Sequence, residues 1–252
     1  MARVLLVGQE TGGVGKSTIV RGLAEAVEEA AIIELESVHR LLEFKSTTKA
    51  NVKGGVRWLE MRASRKEIEA SGGQAARAEL DAVINTLYEV SIPTIIDIGA
   101  NTTASLFGAM QPELIADLRE RKTELGVVLV VAEESGSLAD AAKLLHAAKD
   151  WAGARFVVAN DIRGPVDRDT LAKVAGDAKV TELRKFGFEA ATSTLLQASA
   201  LRGIRNIDRD ALMREKTPAV ANRMIRDLIA FRLAVMEAVK PAALWLVGSN
   251  DA

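Results

Sequence analysis

The run Thr11-Gly12-Gly13-Val14-Gly15-Lys16-Ser17-Thr18 concentrates more chemistry than any other stretch of the chain. Its three glycines let backbone N–H groups close around an anion, and a helix starting just after them adds aligned dipoles that favour negative charge. Lys16 would reach terminal phosphates as a point charge. The Ser17 hydroxyl would coordinate Mg²⁺, with Thr18 beside it at the helix start. Gly12, Gly13, Val14, Gly15, Lys16, Ser17 and Thr18 thus form a cradle for a nucleoside triphosphate with Mg²⁺. A second run, Ile92 to Asn101, has a mostly apolar strand delivering Asp97 to its end. Asp97 would hold Mg²⁺ directly or through water beside Ser17, and Gly99 would let the backbone pass close to the terminal phosphate. A structural turn aspartate is the plainer alternative.

The elements around these residues follow from apolar spacing. Residues 2–7 read as a strand, followed by the glycine cluster and a periodic segment from Ser17 to about Glu29, which reads as a helix. Short apolar runs recur at Ala31–Leu35, Ile92–Ile98, Val127–Ala132 and Ala154–Ala159, separated by stretches with helical spacing. Runs so apolar suit strands buried on both faces, so the expectation is an α/β, doubly wound, mostly parallel sheet with helices on both faces, forming one domain over 1–252. Residues 45–73, polar, basic and glycine-containing around Trp58, Leu59 and Met61, read as a mobile excursion over the ligand face. From Thr217-Pro218 a long helix is expected to about 239, followed by the tail PAALWLV.

Composition narrows the chemistry. The chain has 252 residues, 48% hydrophobic and 4% aromatic, and a net charge of -1. It has no cysteine and two histidines, which excludes disulfides, thiolate metal sites and cysteine nucleophiles and leaves little for a zinc site. No stretch approaches the roughly 18 consecutive apolar residues of a membrane span, and the N-terminus has no secretory signal pattern, so the expected location is cytoplasmic. Between 45 and 66, Lys45, Lys49, Lys53, Arg57, Arg62, Arg65 and Lys66 face only Glu60, seven positive charges against one negative. Such a run reads as a solvated face or as a surface for DNA or an acidic partner.

The usual phosphate loop, G-x-x-x-x-G-K-S/T, places glycine where this chain has Glu10. TGGVGKST instead resembles the deviant loop, K-G-G-x-G-K-S/T, of the family that includes plasmid and chromosome partition ATPases, division-site ATPases, the nitrogenase iron protein and dethiobiotin synthetase. The segment DIGANTTASL also resembles the D-x-G-A-S pattern of conjugative-plasmid stability and transfer proteins within that family. The resemblance implies a P-loop NTPase fold, ATP with Mg²⁺, and a nucleotide-sandwich homodimer. The family's signature lysine, which commonly reaches the partner's phosphates, falls on Thr11, and a basic residue such as Arg57, Arg62 or Arg65 would have to replace its charge. Where the family's second strand ends in D-x-D-P-Q, this chain has Glu34 and Glu36. The resemblance makes Glu36 the base that positions water, while a solvated strand-end acid is an equally good reading. Asn160, ending ARFVVAN, matches the family's adenine-contacting asparagine and reads equally as a turn residue. The following Asp161-Ile162-Arg163 lacks the N-K-x-D pattern of guanine binders.

Three functions follow. The leading one is a slow, Mg²⁺-dependent ATP-hydrolysing switch of the partition or plasmid-transfer type, with an ATP-linked homodimer and with nonspecific DNA or a partition or transfer protein as partner. The DNA would be met through 45–66 or the arginine-rich Arg202–Arg232 region. An ATP-dependent small-molecule ligase or kinase and a nucleotide-holding adaptor with negligible turnover are the alternatives. His146 reads as a helix-surface or packing residue, and Trp58, Trp151 and Trp245 as packing.

Overall fold

Strand β1 (Ala2–Gly8) is apolar on both faces: Val4 and Leu6 pack one way, Leu5 and Val7 the other, and all four are fully buried. Such a strand belongs at the centre of a covered sheet, and it lies there. The computed structural model describes residues 1–61 and 74–249. Its other strands are β2 (Ala31–Glu36), β3 (Lys45–Ser46), β4 (Gly55–Glu60), β5 (Thr94–Ile98), β6 (Thr123–Val131), β7 (Ala154–Asn160) and β8 (Lys179–Leu183). They form one sheet in the order β3-β4-β2-β5-β1-β6-β7-β8, and all seven pairings are parallel.

Helices cover both faces. On the first lie α2 (Gln74–Tyr88), α3 (Thr103–Gly108), α4 (Pro112–Glu120), α5 (Ser135–Ala148) and α6 (Arg168–Ala175). They pack Leu87, Phe107, Leu118, Leu144 and Leu171 with Val4, Leu6 and Ile96. On the second, α1 (Lys16–Ala26), α7 (Ala190–Gly203) and α9 (Pro218–Leu246) place Ile19, Leu23, Leu201, Leu228 and Val239 against Leu5, Val7 and Ile95. The short α8 (Arg209–Glu215) packs Leu212 on Ala221 and Met224 of α9. Because every strand is parallel, all the strand C-termini emerge at one edge, where ligands bind in open α/β sheets.

Two elements differ from the sequence expectation. The described part of the 45–73 excursion is partly sheet: β4 pairs with β2 through Ile32↔Val56 to Glu36↔Glu60, with Val56 fully buried. Burial falls off along it, from the buried Gly55 and Val56 through the half-buried Arg57 to the partly exposed Trp58. A strand at the edge of the sheet, or next to an edge strand of only two residues, lacks the continuous apolar run of a central one. The same holds for β8, whose five residues are mostly exposed. Arg62, Arg65 and Lys66 lie outside the described residues. At the other end, α9 continues to Leu246, so PAALWL is helical, with Val247 as its C-cap, rather than a separate tail. Pro241 removes one backbone donor, but Trp245 and Leu246 beyond it are buried. Trp245 packs edge-on to Phe156 at 6.5 Å and lies under the Arg3 guanidinium at 5.0 Å. Among the described residues no helix is long and apolar enough to cross a membrane.

Candidate nucleotide site

The turn after β1 is shaped by two left-handed glycines, Gly13 at φ 72° and Gly15 at φ 97°, a conformation that costs any residue with a Cβ. Val14 between them is fully buried in the core beneath α1, pinning the loop to the sheet. Gly15 is also the N-cap of α1 and offers no side-chain cap. Thr18 and Ile19 donate to the Gly15 carbonyl at 3.0 and 3.2 Å, which leaves the N–H groups of Lys16 and Ser17 for a ligand. Glu10, which replaces the usual first glycine, accepts a 2.7 Å hydrogen bond from the N–H of Ala104 and ties the loop to the start of α3. Gln9, fully buried, donates from its amide to the carbonyls of Val130 at 3.3 Å and Ser137 at 2.9 Å.

Lys16 is buried, and its ammonium donates to the loop's own carbonyls, Gln9 at 3.3 Å and Thr11 at 3.5 Å. Burial lowers its pKa below the usual lysine value, against the pull of the Asp97 and Glu36 carboxylates. Asp97, one strand away and level with Val7 of β1 and Glu34 of β2, is only 1% exposed. Burial pushes its carboxyl up to about 7, opposed by a hydrogen bond from Ser17 and by Lys16, and reinforced by Glu34 and Glu36. Its Oδ2 is buried without a hydrogen-bond partner. An orphaned carboxylate oxygen beside a serine hydroxyl, in a pocket with more acid than base, is the donor set a hard, water-retaining divalent cation takes. Ser17 and Asp97 therefore fit Mg²⁺.

The second-strand acids divide. Glu34 is fully buried and spent: one oxygen accepts the N–H of Arg40 at 2.7 Å and the other meets His39 Nδ1. His39 in turn stacks on Trp58, centroids 5.6 Å apart and planes 12° from parallel. Glu36 faces the site. A methyl on Gly99 would lie 3.1 Å from its carboxylate and 2.8 Å from the Leu35 carbonyl, so Gly99 serves first to let the β5 end pass β2. Glu36 is held loosely, 3.8 Å from Arg40 Nε.

Asn160 comes to the loop, not beside it. Only 3% exposed, it donates from Nδ2 to the Val14 carbonyl at 2.8 Å, and a methyl on Gly15 would fall 2.3 Å from that nitrogen. In this arrangement its amide clamps the phosphate loop. Arg163, three residues on, donates from Nη2 to the Gly12 carbonyl at 3.5 Å and is ion-paired to Glu134. Spacing could not reveal this contact, whose two residues lie 151 apart in the chain. Of the basic residues weighed for the missing charge, Arg57 donates to Glu89 at 2.8 Å, and β4 is three strands from β1, roughly 14 Å at ordinary strand spacing. Much of the arginine-rich 202–232 stretch is committed internally: Arg205 and Arg232 both pair with the buried Glu25, and Arg223 with Glu189. His146 is exposed on α5.

A cavity of about 590 Å³ opens beside Thr18, lined also by Arg21, Arg40, Leu196, Ser199 and Phe231. Composition and spacing could not have announced it, because its walls come from α1, the turn after β2, α7 and α9.

No family model matches the chain, and no curated protein sequence matches it. Solved structures similar to it include apo McdA from Cyanothece, at 13% identity over 92% of this chain and 99% of that one, TM-score 0.45. A complex of an McdA variant with ATP matches at 12% over 93% and 96%, TM-score 0.43. The Aquifex aeolicus MinC:MinD cell division complex matches at 12% over 91% and 95%, TM-score 0.41. Likeness at this level leaves the chemistry to this chain's own residues.

Proposed function

We propose that the chain binds ATP with Mg²⁺ and acts as a slowly hydrolysing switch of the partition or plasmid-transfer type. The observation that carries this is Asp97: a strand-borne carboxylate, buried, one oxygen without a partner, next to Ser17 and Lys16 at the mouth of a loop built from left-handed glycines. No core needs such a group, and burying it costs free energy unless a ligand compensates.

The chain's own residues have the following parts. The N–H groups of Lys16 and Ser17 and the Gly12–Gly15 backbone bind phosphate oxygens, and Asn160 keeps that backbone in place. Lys16 leaves the Gln9 and Thr11 carbonyls for the terminal phosphates. Ser17 and Asp97 hold Mg²⁺, which supplies charge neutralisation of the phosphates when bound. Glu36, at the far side of Gly99, is the carboxylate placed to accept a proton from or orient an attacking water. ATP would then be linked to homodimer formation and to a protein or DNA partner. For DNA, Lys45 and Lys49 are exposed, but they belong to the far edge of the sheet, β3 being four strands from β1.

Titrating the chain with ATP, with and without Mg²⁺, tests the core of this reading. Binding should be Mg²⁺-dependent and lost in Lys16→Ala, with turnover lost in Glu36→Gln while binding persists. Unchanged affinity in Lys16→Ala would sink it.

The cavity beside Thr18 favours a second reading, an ATP-dependent ligase or kinase, since it gives an acceptor molecule a place next to the loop with two arginines on its wall. ADP release that depends on an added small carboxylate or amine would select that reading over the switch.

A further inference from the structure

Thr11 supplies the loop no charge; Arg163 meets it at the Gly12 carbonyl but is paired with Glu134, and Arg57 of β4 is paired and remote. Arg40 is differently placed. Its backbone is fixed twice: the N–H donates to Glu34 at 2.7 Å, and the carbonyl accepts from Arg21 Nη2, on α1, at 3.1 Å. Glu34 is itself immobile in the core, level with Asp97, and holds the neighbouring His39 with its second oxygen. The turn after β2 is thus tied to the strand beside the metal aspartate and to the helix that begins at the phosphate loop.

The Arg40 side chain, by contrast, is loose. It is 58% exposed, and its ion pair is with Glu36 at 3.8 Å, too long for a hydrogen bond and worth little at that exposure. It nevertheless lies close enough to Lys16 for its charge to help depress that lysine, and it lines the cavity that opens at Thr18. A rigid backbone carrying an uncommitted guanidinium at the mouth of an anion site is pre-organised to make bidentate contacts to phosphate.

We propose that Arg40 supplies, from within the same chain, the cation that meets the terminal phosphate, leaving Glu36 to do so. This rests on the loop being a nucleotide site. The exchange has a second consequence. Glu36, released from the guanidinium beside Gly99, becomes free to engage water only when a triphosphate is present. Arrival of the terminal phosphate and exposure of the base are then one event.

The test is a calorimetric titration of the full chain with MgATP, MgADP and inorganic tripolyphosphate. Arg40→Ala should weaken MgATP and tripolyphosphate by about tenfold or more and MgADP by less than about threefold, tenfold corresponding to about 1.4 kcal/mol. Arg40→Lys should recover part of the loss, and Glu36→Gln, which removes the competing anion, should tighten tripolyphosphate. If Arg40→Ala does not fold, Arg40→Gln answers the same question. Equal losses for ATP and ADP, native tripolyphosphate affinity in Arg40→Ala, or a loss that follows Arg163→Ala instead would each overturn the assignment. Should the native chain bind none of the three probes, or Lys16→Ala bind them unchanged, the nucleotide site itself fails and Arg40 falls with it.

Discussion

At the scale of single residues, Asp97 ties stability to pH. Its carboxyl stands near 7 in the folded chain against an ordinary 3.8, so between about pH 4 and about pH 7 the folded state keeps a proton that the unfolded state has released. Stability supported by that proton falls as pH rises through this window and is level above it, a contribution of at most about 4 kcal/mol. We predict that Asp97→Asn, melted without nucleotide in chelator, removes this slope and is more stable than the native chain near pH 8. An unchanged slope would mean that the proton sits elsewhere. Asn160 gives a second residue-scale prediction. If its amide holds the Val14 carbonyl, Asn160→Ala should weaken tripolyphosphate and ATP alike. A contact to adenine would weaken ATP alone. Ser17, Lys16 and Asp97 were legible in the sequence because each is fixed by neighbours within its own strand–loop–helix segment. Asn160's inward turn, Arg163 and Arg40 were not, since their partners are a carbonyl 146 residues away, one 151 residues away, and a carboxylate whose orientation depends on how β2 ends.

At the scale of elements, the central strands announce themselves and the edges do not. β1, β2, β5, β6 and β7 are buried on both faces and read directly as apolar runs, whereas β4 and β8 reveal themselves only through the pairings that place them. The end of α9 is a similar case. Pro241 marks a boundary by sequence logic, but burial of Trp245 against Gly126, where a methyl would lie 2.7 Å from the indole, outweighs one missing helix hydrogen bond. Trp245→Ala should therefore cost about 3–5 kcal/mol in chemical denaturation, and Gly126→Ala should also destabilise, because the indole is wedged and has no free end to swing away. A chain truncated before Pro241 that unfolds at the native denaturant midpoint would show that the last turns of α9 are dispensable. At the loop, Gly15→Ala meets two obstacles, a φ of 97° and the Asn160 amide 2.3 Å away. It should abolish tripolyphosphate binding while leaving most of the fold, measured by far-ultraviolet circular dichroism.

At the scale of the whole molecule, the question is whether a local event at the phosphate loop becomes a change of state. The connection available is the turn after β2: Glu34 and Glu36 sit on one strand, Arg40 and His39 on the turn that follows, and Trp58 of β4 stacks on His39 while donating from Nε1 to the Glu36 carbonyl at 2.9 Å. A phosphate that draws Arg40 away from Glu36 perturbs a place where β2, β4 and the turn meet, and Trp58, partly exposed and stacked, should report it as a change in fluorescence on adding MgATP that MgADP does not reproduce. If that rearranged face is where two copies meet, linkage requires reciprocity: whatever ATP adds to dimer affinity, dimerisation must add to ATP affinity. The apparent ATP affinity should then tighten as protein concentration is raised through the range where sedimentation shows the dimer forming, and the tightening should vanish in Arg40→Ala. A constant ATP affinity alongside a fixed monomer mass, with the Trp58 signal still present, would make the rearrangement a private event of one chain and move the ligase-or-kinase reading ahead of the switch. A ligand with no differential affinity for the two states cannot drive an assembly, however tightly it binds.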